Sequence, residues 1–274
     1  MSGILSRRAS TVEPSITLSW NTKANQLKEQ GEDIIGLAAG QPDFDTPDVI
    51  KQGAYRAIET GQTRYTPAAG IQPLRRKIAE FYSERLGVPY GWKETVVSNG
   101  AKHTIFNALF AVTDPGDEVL ITTPYWVSYP EMVSLVGARP RIVELSAENG
   151  YKLTAKRLEK ELAAGSPKAI LFNSPNNPAG TVYSRAELEP LCRVFLDSGI
   201  AVISDEIYEF LVYDGVEHVS PVTLMPELKA QTVVVTGVSK SYAMTGWRIG
   251  FGLADEPVAY RMAAYQAHAT GCPH

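Results

Sequence analysis

The chain has 274 residues, enough for one large α/β domain or two smaller ones, and its 44% hydrophobic content supports a sizeable core. A net charge of −4 gives no general attraction to nucleic acid or to an anionic membrane. The two cysteines, Cys192 and Cys272, lie outside any CxxC spacing, which argues against a disulfide framework or a metal site and for buried thiols in a reducing compartment.

The first twenty residues, MSGILSRRASTVEPSITLSW, contain arginines but no continuous apolar run followed by a cleavage site. No later run has the length of a membrane span, so the expected location is the cytoplasm. The stretch FDTPDVIKQGAYRAIETG then reads as a helix, with Thr46 as N-cap, Pro47 at the first helical position and Asp48 in the first turn. Val49, Ile50, Gly53, Ala54, Ala57 and Ile58 fall on one face of it. A second helix follows in QPLRRKIAEFYSERLG, with Leu74, Ile78 and Phe81 as the expected buried stripe and Gly87 past its end.

From residue 94 the pattern changes to short β-branched runs alternating with helical ones. Seven strands are expected in ETVVSN, DEVLITTP, RPRIVELS, KAILFNSP, AVISDEIY, TVVVTGVS and RIGFGLA. Helices are expected in AKHTIFNALFAVTD, WVSYPEMVSLVG, TAKRLEKELAAG and SRAELEPLCRVFLDSG. Strands that lack strict alternation and are separated by helices imply a mostly parallel sheet covered on both faces. The fold class is α/β.

In open α/β sheets, ligands bind beyond the carboxyl ends of the strands. Several residue types that bind or react fall at those ends here. Gly100, Ala101 and Lys102 open a helix directly after a strand, which is either an ordinary turn or a phosphate cradle of free amides. Trp126 follows the next strand and either covers a flat ligand or fills the core. The turn SPNNPAG follows another, with asparagines that a mere turn does not require. Asp205 ends an apolar strand, where a carboxylate needs a cationic or hydrogen-bonding partner. Lys240 follows TGVS, eight residues before Arg248, and a crowded loop lowers a lysine pKa as an imine-forming amine requires. Taken together, these groups suit a pyridine aldehyde bearing a phosphate, pyridoxal 5′-phosphate (PLP).

The motifs GLAAGQPDF, YTPAAG, NGAKH, PYWVSYPE, NSPNNPAG, SDEIYE and SKSYAMTGWRIGFG, in this order, resemble the class I aminotransferases of PLP fold type I, most closely the bacterial aspartate aminotransferase branch. The resemblance runs from about residue 10 to the C-terminus. It implies a homodimer with shared sites, acting on an amino acid and a 2-oxo acid, aspartate and 2-oxoglutarate in the first instance. A PLP-dependent lyase, a prephenate or aromatic aminotransferase and a truncated, catalytically weak PLP-binding protein are the alternatives. A nicotinamide-binding fold is disfavoured, because no GxGxxG follows the first strand.

The resemblance also implies residue roles. Lys240 forms the Schiff base and shuttles the proton; Asp205 pairs with the pyridine nitrogen; Asn177 and Tyr208 hydrogen-bond the ring oxygen. Trp126 stacks on one ring face and Ile207 packs on the other. Arg248, Ser239 and the Gly100, Ala101 and Lys102 turn hold the phosphate, and Tyr65 reaches the phosphate of a neighbouring subunit. Gly40 lies against the substrate, as do Trp126 and Asn177. No metal is implied. Residues 1–45 form an N-terminal arm and part of a small domain, and residues 46–274 a large PLP-binding domain. The family's arginine for the substrate α-carboxylate has no counterpart before YQAHATGCPH, so the small domain is expected to be incomplete, as in a family member cut short.

Overall fold

A long, continuous apolar run can be buried on both sides only if something packs on each, and the chain supplies helices for both. The computed structural model describes residues 4–6, 9–14, 16–37 and 40–273. Its seven strands are β1 (Thr95–Ser98), β2 (Glu118–Thr122), β3 (Arg139–Val143), β4 (Ala169–Asn173), β5 (Ala201–Asp205), β6 (Thr232–Gly237) and β7 (Gly250–Leu253). They form one sheet in the order β1-β7-β6-β5-β4-β2-β3, and only β7 runs against its neighbours. All seven expected strands are present.

The helices are α1 (Ile16–Glu29), α2 (Asp48–Glu59), α3 (Gln72–Leu86), α4 (Ala101–Val112), α5 (Ser128–Leu135), α6 (Ala155–Ala163), α7 (Arg185–Ser198), α8 (Pro221–Leu224), α9 (Val238–Ser241) and α10 (Glu256–Ala269). Alternate strand residues point to opposite faces, and the two faces have separate cores. On one, Leu120, Ile170, Val202 and Val234 meet Ile78 and Tyr82 of α3 and Leu188, Leu191 and Phe195 of α7. On the other, Val119, Ile121, Leu171, Ile203 and Val235 meet Ile105 and Leu109 of α4, Met132 and Val133 of α5, and Met262 of α10. No helix among the described residues is long and apolar enough to cross a membrane.

Three local expectations are corrected. Thr46 does not cap α2; Pro47 occupies the N-cap position, and the Thr46 hydroxyl donates instead to the carbonyl of Ala243. The apolar face of α2 is only partly covered, with Val49 75% and Ile58 64% exposed and none of its residues fully buried. In α3 the buried residues are Ile78, Ala79, Tyr82 and Leu86, while Leu74 and Phe81 stay exposed, so the inward stripe is rotated from the expected one. Gly87 ends that helix at φ 68°, in the left-handed region that favours glycine. Cys192 is buried as expected, but Cys272 is half-exposed.

Candidate active site

Strands β1 to β6 all run the same way, so their carboxyl ends share one edge of the sheet. Register fixes the sequence of residues along it: Asn173 lies beside Asp205, Gly237 beside Gly250, and Gly250 beside Ser98. The loops after β1, β2, β4, β5 and β6 therefore converge over one line.

At the β1 end, Gly100 adopts φ 88° and opens α4. Among the described residues, the amides of Ala101 and Lys102 find no acceptor, as expected for the first turn of a helix. The Arg248 guanidinium lies over this turn, donating to Thr245 O at 2.8 Å and reaching Asn99 O at 3.5 Å. Among the described residues it forms no ion pair. A side chain at Gly100 would strike the guanidinium, and one at Gly250 would strike the Ala101 amide, so two glycines keep the cradle open. Free amides, a helix N-terminus and an unpaired guanidinium form an anion site. Ser239 is buried at the start of α9, which follows β6 on the same edge.

Asp205 ends β5 at 4% exposure. Its Oδ2 accepts the Tyr129 hydroxyl at 2.6 Å and its Oδ1 the Ile207 amide at 3.3 Å. No ion pair reaches it among the described residues. Burial raises its pKa to about 6, and the two hydrogen bonds only partly offset that. A buried carboxylate this poorly neutralised fits a cationic N–H placed against it, as a protonated pyridine nitrogen is.

The asparagines of the β4 loop divide their tasks. Asn173 donates to Pro175 O at 3.1 Å and Asp205 O at 2.8 Å, and accepts from the Asn177 amide at 2.8 Å. Asn176 accepts from the Ala179 amide at 2.9 Å. These two build the loop. The half-buried Asn177 side chain instead reaches Tyr208, its Nδ2 3.4 Å from the Tyr208 hydroxyl. Burial first, and then the nearby Asp205, raise the Tyr208 pKa, which keeps its proton available for donation.

Lys240 is half-buried on α9. Its Nζ donates to Gly40 O at 2.5 Å and lies 5.7 Å from the Tyr208 ring centroid. Desolvation, and then the Arg248 charge, lower its pKa, which enlarges the neutral, nucleophilic fraction of the amine. A cleft lined by Gly40, Phe44, Tyr208, Lys240 and Ala243 adjoins it. Ala38 and Ala39 of the GLAAGQPDF motif lie outside the described residues.

Trp126 is half-buried, edge-on to Tyr129 with centroids 5.6 Å apart, and Lys102 Nζ sits 4.8 Å from its ring centroid. Ile207 is buried next to Asp205. Tyr65 stands apart from this group in the single chain, at 99% exposure. Two contributors escaped the sequence reading. Tyr129 lies three residues after Trp126 in PYWVSYPE, a helical spacing that signals a shared face. Glu209 is a buried carboxylate that accepts from Tyr82 at 2.5 Å, Arg85 at 2.7 Å and Thr236 at 2.9 Å, and so anchors the turn that carries Ile207 and Tyr208. Its position, one residue after Tyr208 in SDEIYE, was the available signal.

Residues 32–273 match the protein family described as aminotransferase class I and II. The chain is 43% identical over 273 residues to an aspartate aminotransferase of Bacillus sp. (strain YM-2), covering 100% of this chain and 69% of the relative. It is 43% identical over 270 residues to an aspartate/prephenate aminotransferase of Cereibacter sphaeroides, covering 98% of this chain and 67% of that one. Among solved structures, aspartate aminotransferase from Thermus thermophilus with maleate superposes at TM-score 0.93 and 42% identity, over 100% of this chain and 70% of that chain.

Proposed function

This chain belongs to aminotransferase class I and II, and we propose that it passes the amino group of aspartate to 2-oxoglutarate with the residues along the sheet edge. One observation carries the assignment of residues. Among the described residues, a single edge holds a buried carboxylate with no cation, a half-buried lysine with no acid, and a cradle of amides and guanidinium with no anion. PLP is complementary to all three, with its pyridine N–H, its aldehyde and its phosphate. The names of the relatives, aspartate and aspartate/prephenate aminotransferases, support the choice of substrate.

When bound, PLP supplies the carbon that receives the amino group and a ring that draws electrons from the substrate Cα. Asp205 keeps a proton on the pyridine nitrogen, and Asn177 and Tyr208 hydrogen-bond the ring oxygen. The amides of Ala101 and Lys102, with Gly100, Ser239 and Arg248, hold the phosphate. Trp126 and Ile207 cover the ring. Lys240, neutral for more of the time than an exposed lysine, would be the base that takes the proton from the substrate Cα. The Gly40 backbone borders the substrate. In this reading the working unit is a cytoplasmic homodimer in which Tyr65 reaches the neighbouring site; its exposure in the single chain leaves it free to do so. Residues 1–45 serve as arm and small-domain part, and residues 46–274 as the cofactor domain.

The test is amino-group transfer. With PLP, aspartate and 2-oxoglutarate, the protein is expected to form glutamate and Lys240→Ala to form none. PLP bound at Lys240 with no transfer to 2-oxoglutarate or prephenate would overturn the assigned reaction.

A further inference from the structure

Thr46 stands where the sequence places a helix cap, yet its side chain turns away from α2. Its hydroxyl donates to Ala243 O at 2.6 Å and accepts from Trp247 Nε1 at 3.1 Å. Both partners belong to one loop, which begins at Lys240 and ends at Arg248, and the threonine belongs to another, residues 40–47. A single half-buried hydroxyl thus ties two points of the loop to each other and to the segment that carries Gly40.

The tied loop is not in a relaxed conformation. Ala243 has φ 51° and Arg248 φ 54°, both in the left-handed region and neither a glycine. Such residues hold that conformation only when their surroundings determine it. Ala243 is one of the two tied residues, and Arg248 follows the other. The loop's backbone amides bind back along the chain: Tyr242 donates to Val238 O at 3.1 Å and Met244 to Ser239 O at 3.1 Å, both just before the loop, and Trp247 to Met244 O at 3.2 Å. These bonds fold the loop on itself. Among the described residues, side-chain hydrogen bonds join the 40–47 segment to it at Thr46 and at Gly40 O, which accepts from Lys240 Nζ at 2.5 Å.

We propose that Thr46 is a positioning residue that locks the Lys240–Arg248 loop, so that the lysine amine and the guanidinium stand at the separation one PLP molecule requires. This rests on the assignment of Lys240 and Arg248 to the cofactor. Thr46 touches neither cofactor nor substrate; it acts through the loop.

The experiment is equilibrium titration of the cofactor-free chain with PLP, followed by fluorescence, with borohydride labelling of the parent and melting of each cofactor-free variant alongside. Thr46→Val keeps the shape and removes both hydrogen bonds, and is expected to weaken PLP binding about tenfold. Thr46→Ser retains the hydroxyl and should stay within about twofold of the parent, and Trp247→Phe, which loses one donor, should fall between. In Thr46→Val/Trp247→Phe the second change should add nothing to the first, because both act through one hydroxyl. Unchanged PLP affinity in Thr46→Val, with the parent labelled at Lys240, overturns the inference alone. An affinity loss accompanied by an equal loss of stability in the cofactor-free protein also overturns it, as a general defect of folding. A parent that carries no label on Lys240 overturns the cofactor assignment, and the inference with it.

Discussion

The Tyr129 hydroxyl, carried on α5, donates to Asp205 Oδ2 at 2.6 Å at the end of β5. The bond favours the ionised carboxylate, whereas burial opposes it. Tyr129 is itself fully enclosed and its pKa lies well above the ordinary tyrosine value, first through burial and then through Asp205, so it remains a donor across the working pH range. Tyr129→Phe removes that donor and should raise the Asp205 pKa further. The ring nitrogen partner then loses charge at neutral pH, and the half-reaction with aspartate should slow by roughly ten- to a hundredfold, equivalent to about 1.5–3 kcal/mol. Stopped-flow absorbance measures it. A rate within twofold of the parent would mean that the hydroxyl does not tune the carboxylate.

Asp205 also makes a pH prediction for the cofactor-free protein. Its pKa is raised in the fold to about 6, so the folded state binds a proton more tightly than the unfolded chain does. Between pH about 4 and about 6 the folded protein therefore carries more protons at this site, and the stability contributed by Asp205 falls as pH rises through that window. The loss amounts to about 3 kcal/mol and is complete above pH about 6. Asp205→Asn should remove it, so that its stability relative to the parent grows from pH 4.5 to pH 7. Urea unfolding across that range provides the check, and a constant difference between the two proteins would contradict the assigned ionisation.

The cradle depends on close backbone approach. A Cβ at Gly250 would meet the Ala101 amide and the Gly100 carbonyl carbon. Gly250→Ala should therefore displace the first turn of α4, reduce PLP affinity at least about tenfold and cost about 1–3 kcal/mol of stability through overpacking. Retained affinity with unchanged melting would show that the turn has room to shift.

The sequence announces the sheet and the edge clearly for a physical reason. Strands buried on both faces read as unbroken β-branched runs, and such runs have identifiable ends. Asn177, Asp205, Tyr208 and Lys240 stand out in the sequence because each lies at, or within a few residues of, the end of one. What covers an apolar face is a different question. The stripe Val49, Ile50, Ala54, Ala57 and Ile58 has helical spacing, and spacing says nothing of the partner; in this chain Val49 and Ile58 are exposed and the other three only partly covered. Thr46 shows the limit of a local rule. Thr-Pro at a helix start is a sound cap signal, but a hydroxyl near Ala243 O and Trp247 Nε1, about two hundred residues away in sequence, finds better partners there. Helix α10 was not read at all. Its inward face includes Gln266, which binds Asn107, Ala68 O and Val97 O, and a polar residue in that slot hides the apolar period.

The central claim is that Lys240 is the amine that engages the cofactor. The direct measurement is to incubate the protein with PLP, reduce with borohydride, digest and map the pyridoxyl group by mass spectrometry. Lys240 is half-buried, has its pKa lowered by desolvation and by Arg248, and stands beside Gly40 O and the Tyr208 ring. Lys102 is the nearest rival, with its pKa also lowered by desolvation and by Arg248, but its Nζ lies over the Trp126 ring. The label is expected on Lys240 and to disappear in Lys240→Ala, with the fold retained. A label on Lys102, or one spread over surface lysines, would contradict the account.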